Sequence, residues 1–163
     1  MPIARYPLTE VYNVKKIRQD KAEADLMKKK AIMEIEQDNA ARAKSDLEAY
    51  IRHRIEKENG LYAGIQGKLI KPRDLDDIRQ ECVFMKEKEK AYEENLQKAE
   101  QRLEQAKQEV DKARLLYQAA MREVRKIVEH RKIWLKEATL ADEHAQDNEF
   151  EEFRVLRSRE KSA

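Results

Sequence analysis

From residue 78 onward, apolar side chains recur in alternating steps of four and three. The positions are Ile78, Cys82, Met85, Tyr92, Leu96, Ala99, Leu103, Ala106, Val110, Ala113, Tyr117, Ala120, Val124, Ile127, Trp134, Ala138, Ala141 and Ala145, with Glu89 and Arg131 as polar exceptions. A seam that repeats every 3.5 residues over such a length is the sequence requirement for coiled-coil packing. A weaker seam of the same spacing runs earlier through Leu8, Tyr12, Ala22, Leu26, Met33, Ala40, Ala43, Leu47, Tyr50 and Arg54. Lys15, Gln19, Lys29 and Glu36 interrupt it, and Ile32, Ile35 and Ile51 broaden it. Between the two seams lie all three glycines of the chain, Gly60, Gly64 and Gly67, followed by Pro72. This is the one strong breaker in the sequence. The pattern predicts a first helix over about 7–59, a turn over 60–72 and a second helix over about 73–157, as a single coiled-coil domain spanning 1–163. Pro7 suits a first helical turn, where its missing N–H costs nothing. The acidic residues of "RDLDD" after Pro72 suit the positive end of the second helix dipole.

Folding the chain about the centre of the glycine cluster, residue 66, makes partners of residues whose numbers add to about 132. Leu26 then meets Ala106, Met33 meets Ala99, Tyr12 meets Ala120, Ala22 meets Val110 and Ala40 meets Tyr92. Each pair sets a large residue against a small one, as knobs entering holes require. The expected fold is therefore all-α: a long two-helix antiparallel coiled-coil hairpin. In this register Leu8 pairs near Val124, so the second helix has no cover beyond about Ile127 and forms a C-terminal helical overhang. That overhang carries Trp134 and then, shifted in phase, Phe150, Phe153 and Leu156. An uncovered apolar stripe with aromatics suggests a binding surface. Glu137 to Glu152 holds seven acidic residues and no Lys or Arg, and Arg154, Arg157, Arg159 and Lys161 follow. That pattern suits either the orientation of a partner or a solvated helix end.

Composition agrees with long helices. Charged residues make up 42% of the chain, and Gly and Pro number only 3 each. High charge also describes disordered chains, but they do not sustain a heptad seam. The 35 basic and 33 acidic residues are interspersed, so no basic face invites nucleic acid. Cys82 is the single cysteine, which excludes an internal disulfide and fits a reducing compartment. It reads as a small seam residue before it reads as a reactive thiol. No run is long and apolar enough for a membrane span, and "MPIARYPLTE" holds no signal-peptide core. The expected location is the cytoplasm, without membrane insertion.

Catalytic chemistry is not legible. His53, His130 and His144 are dispersed, and no His/Cys spacing fits a metal site. "GLYAGIQG" precedes neither Gly-Lys-Ser/Thr nor a strand–helix unit, so it is not a phosphate loop. A two-helix hairpin also lacks a pocket in which to perturb a carboxylate. The expectation is a non-enzyme without cofactor or metal.

The opening "RYPLTEVYNVKKIRQDKAEADL" resembles the N-terminal signature of the FliJ/YscO family, also called SctO, and the virulence-system branch is the more similar. An aromatic and a leucine open helix one, then come a hydrophobic pair, a basic pair and an alanine. Tyr6, Leu8, Val11, Lys15, Lys16 and Ala22 match that order. "EATLADEHAQDNEFEEFRVLRSRE" is similar to the family's tail, and "YAGI" (Tyr62 to Ile65) sits where the family turns. The resemblance implies a stalk protein of a type III secretion export machine, similar in architecture to the central shaft of rotary ATPases. It implies paired termini entering a hexameric secretion ATPase, a hairpin reaching the cytoplasmic ring of the export gate, promotion of ATPase activity or assembly, and export chaperones as further partners. Its implied location is peripheral to the inner-membrane apparatus. The implied ATPase-binding residues are Tyr6, Leu8, Trp134, Phe150, Phe153, Leu156 and Arg157; the implied export-gate residues are Tyr50, His53, Tyr62 and Phe84. Tyr50 is also a seam position, so packing competes for it. Two other readings stay open: a generic coiled-coil scaffold or chaperone-like binder, and a central-stalk subunit of a rotary ATPase.

Overall fold

A computed structural model describes residues 5–160, with the side chains of 158–160 left aside. Two helices account for nearly all of it: α1, Thr9–Ile65, and α2, Pro72–Glu160. They pack against each other as the antiparallel pair that the seams predict. The chain divides into two compact units, Met1–Asp25 with Arg114–Ala163, and Leu26–Ala113.

Each helix end has a local cause. Before α1, the Thr9 hydroxyl and amide both donate to the Tyr6 carbonyl, at 2.6 and 3.3 Å. Pro7 therefore lies in the turn that leads into the helix. At the start of α2, Asp74 Oδ2 accepts from the Lys71 amide at 3.3 Å, and the Asp74 amide donates to the Lys71 carbonyl at 3.0 Å. Pro72 occupies the first helical position, where its lack of a donor is harmless.

The turn is shorter than the glycine cluster suggests. α1 runs on through Gly60 and Gly64 to Ile65, residues that the breaker reading assigns to the turn. Its seam also continues there, with Glu58, Leu61 and Ile65 half-buried at the spacing set by Arg54. Continued packing of this kind outweighs the ~1 kcal/mol that each helical glycine costs. Only Gly67 has the left-handed backbone, φ +76°, that a glycine uniquely tolerates, and it ends the helix.

A later turn moves the register. In the unit Leu26–Ala113, ion pairs join Lys29 to Glu109 (3.4 Å), Glu36 to Arg102 (3.4 Å) and Lys57 to Glu81 (2.6 Å). The numbers of each pair add to 138, not 132. In the other unit Lys15 and Glu123 meet at 2.7 Å with the same sum. The expected facing of Ala40 and Tyr92 is overturned directly: Tyr92 stacks on Tyr50, ring centroids 4.8 Å apart. The cause is the centre of the turn, displaced by the helical residues 60–65.

The seam itself stands. Leu26, Ala40, Cys82, Met85, Ala99, Val110 and Ala113 are buried, and all are seam positions. Ala99, 2% exposed, is among the most enclosed, where small residues let the helices approach closely.

Candidate functional site

The residues expected at the ATPase-facing end separate into two groups. Tyr6 is 6% exposed. Its hydroxyl lies 2.7 Å from His130 Nδ1, and its ring meets Trp134 edge-on at 5.4 Å. Trp134 and Leu8 are half-buried. These three residues therefore belong to packing that closes the hairpin. Among the described residues α2 is still covered at Trp134, beyond Ile127, where partner numbers adding to 132 would end its cover.

Beyond that closure α2 continues without a partner helix among the described residues. Leu135 and Leu140 are about half exposed. Phe150 and Phe153 are 68% and 69% exposed, and Leu156 is 59%. Together with Arg157 they line one shallow concavity on the tail. Spacings of three place them within less than two helical turns, so their apolar surface is contiguous. Arg154 and Arg157 follow directly, while Lys161 lies outside the described residues. An exposed apolar cluster flanked by charges is suited to a protein surface, not to a small molecule.

The residues expected at the turn end also separate. Tyr50 is committed to the interior: it stacks on Tyr92, and its hydroxyl donates to the Met85 carbonyl at 3.0 Å. His53 tilts against Tyr50 at 6.3 Å and is exposed. Tyr62 is 47% exposed, and the Cys82 thiol beside it raises its phenol above the ordinary value of 10.0. Phe84 is 61% exposed, with the Lys88 ammonium 6.0 Å from its ring centre. Three of the four are thus available at the surface. Ile55 (45%) and Val83 (56%) are exposed in the same stretch, and sequence reasoning passes over them. Their numbers also add to 138, a sign that only the corrected register makes visible.

The polar residues that interrupt the seams have a function of their own. Arg54, the last position of the first seam, and Glu89, an exception in the second, pair with one another. Glu58 joins them, its Oε2 accepting from Arg54 Nη1 at 3.0 Å. The three side chains are only 16–20% exposed. Glu89 followed by Glu58 holds the Arg54 guanidinium further above its ordinary range. Lys126 and Lys15 together pull the Glu123 carboxyl from 4.5 down to about 2. Among the described residues no group of three or more His, Cys, Asp or Glu is placed to hold a metal ion. No helix among them is long and apolar enough to cross a membrane.

A solved structure of a protein described as a YscO homologue from Chlamydia trachomatis is similar at 23% identity, with a TM-score of 0.85, covering 98% of this chain and 99% of that one. At that identity the likeness speaks for the fold alone. No curated protein sequence matches the chain. The family model for type III secretion protein YscO matches residues 8–156, from the first seam residue to the exposed tail leucine. The chain belongs to the YscO family of type III secretion proteins.

Proposed function

We propose that this protein is the non-enzymatic central stalk of a type III secretion export apparatus, linking the hexameric secretion ATPase to the export gate and promoting the ATPase's activity or assembly. Export chaperones are further partners in this reading. The observation that carries it is the exposed Phe150, Phe153 and Leu156 cluster on a helix end that has outrun its partner, in a chain of a secretion family. Buried aromatic anchors dominate protein–protein affinity, and these aromatics are unburied in the isolated chain. The ATPase-facing surface is then Phe150, Phe153, Leu156 and Arg157. Tyr6, Leu8 and Trp134 hold the root of the tail. His53, Tyr62 and Phe84 are the gate-facing candidates, and Tyr50 supports them from within.

The test compares the full chain with a form ending at Gln146, which keeps the Tyr6–Trp134 packing and removes the exposed cluster. Each is used to capture partners from native cytoplasmic extract, and the bound proteins are identified by mass. A hexameric secretion ATPase retained by the full chain alone supports the stalk and the role of the tail. Equal retention by both forms removes the tail from the interface. Recovery of chaperones without the ATPase favours the scaffold reading instead.

A further inference from the structure

In a coiled coil, a seam of alanines and leucines tolerates sliding by a whole heptad, because every slipped layer still sets apolar against apolar. The unit Leu26–Ala113 has such a seam, and its apolar residues alone do not choose one register. The polar residues do. Lys29, Glu36 and Lys57 face Glu109, Arg102 and Glu81. A slip of seven residues in one direction sets Lys29 opposite Arg102. A slip in the other direction sets Glu36 opposite Glu109 and Lys57 opposite Lys88. Those pairs are at the rim, where each is worth little.

The pair in the seam is different. Arg54 meets Glu89 where both side chains are more than four-fifths shielded, with Glu58 as a second acceptor for Arg54. After either slip Arg54 faces Cys82 or Leu96, and its charge lies in the seam without a carboxylate from the other helix. Arg54 keeps Glu58 on its own helix, but Glu89 then faces Leu47 or Leu61 and loses its partner, and an uncompensated shielded charge is far costlier than a lost surface contact.

We propose that the Arg54–Glu89 pair, with Glu58, is a register lock: it selects one axial alignment of the two helices and prevents heptad slippage. Tyr50 and Tyr92, stacked 4.8 Å apart close by, do not make that choice, because a slip sets Tyr50 against Met85 or Ala99, which are apolar too. The lock specifies alignment more than it adds stability, since a hydrophobic pair can replace a shielded ion pair without loss.

The test reads alignment by cysteine cross-linking in the full chain with Cys82→Ala. Ala43 and Asn95 line the same concavity, so Ala43→Cys with Asn95→Cys reports the native register. Ala43→Cys with Lys88→Cys, and Lys57→Cys with Lys88→Cys, report the two slipped registers. With Arg54 and Glu89 present, air oxidation is expected to close only the 43–95 bridge. With Arg54→Leu and Glu89→Leu together, helicity and melting temperature are expected to hold, while at least one slipped bridge gains yield at the expense of 43–95. The charge-swapped pair, Arg54→Glu with Glu89→Arg, is expected to restore the single bridge. Exclusive 43–95 cross-linking in the double leucine variant overturns the lock. So does loss of helicity in that variant, which would make the pair a stability element, and so does slippage in the charge-swapped form.

Discussion

The seam between Cys82 and Ala113 and the tail beyond Leu140 are parts of one helix with much the same charge density, yet they meet solvent differently. In the first, every third or fourth residue is buried or half-buried, down to 2% exposure at Ala99. In the second, Phe150 and Phe153 are more exposed than most leucines of the chain. Intrinsic propensity does not distinguish them, since both are helical. What differs is whether α1 lies opposite. Burial in a two-helix fold is set by the partner, so an apolar tail residue is a free surface where a seam residue is core.

The most forceful way to break this comparison is to overfill the seam. Ala99→Trp has no room where the helices approach, and it should destabilise the chain by about 1–3 kcal/mol. Thermal unfolding followed by circular dichroism measures it; a melting temperature equal to that of the parent would mean that Ala99 does not sit between the helices. Tyr6→Phe tests the closure of the seam, because it removes only the hydroxyl that meets His130. A cost of about 1 kcal/mol is expected, and no change in melting would leave the ring contact with Trp134 as the whole of that closure.

Acidification gives a milder test. Glu123 titrates in the folded chain at about 2, well below 4.5, and Glu109 is also lowered, first by Lys112 and then by Lys29. A depressed carboxylate contributes stability above its unfolded value and loses it as pH falls. The melting temperature should therefore drop modestly between about pH 4.5 and 2, with Glu123→Gln reducing the drop. An unchanged drop in that variant would place the acid sensitivity elsewhere. The smallest effect belongs to the tail. Phe153→Ala should change stability by less than about 0.5 kcal/mol while it weakens partner capture. A large loss of stability would show the tail to be packed in solution.

The fold is legible in the sequence because period and length agree: alternating steps of four and three over so many turns have few other physical explanations. Its alignment is less legible. Three clustered glycines look like one turn, but propensity alone does not stop a helix whose seam continues, and Gly60 and Gly64 stay helical. Without that displacement partner numbers are expected to add to 132, where the ion pairs add to 138, and Trp134 is expected in the open, where Tyr6 packs against it. Lys15, Lys29 and Glu36 look like interruptions of the seam in the sequence. They and the seam residue Arg54 instead find opposite charges on α2, a fact that becomes visible only once the alignment is known. The exposed tail cluster is legible residue by residue, since no partner remains for it in either alignment.

The contact between Tyr6 and Trp134 has an optical consequence. Trp134 is the only tryptophan of the chain, and it is half-buried at the root of the tail with an aromatic edge 5.4 Å away. Its emission colour and its access to a dissolved quencher therefore report on one place alone: the boundary where paired helix becomes single helix. Any partner that grips the tail, or any change that frees the opening segment, acts beside this fluorophore, so the unlabelled protein carries its own gauge of that boundary.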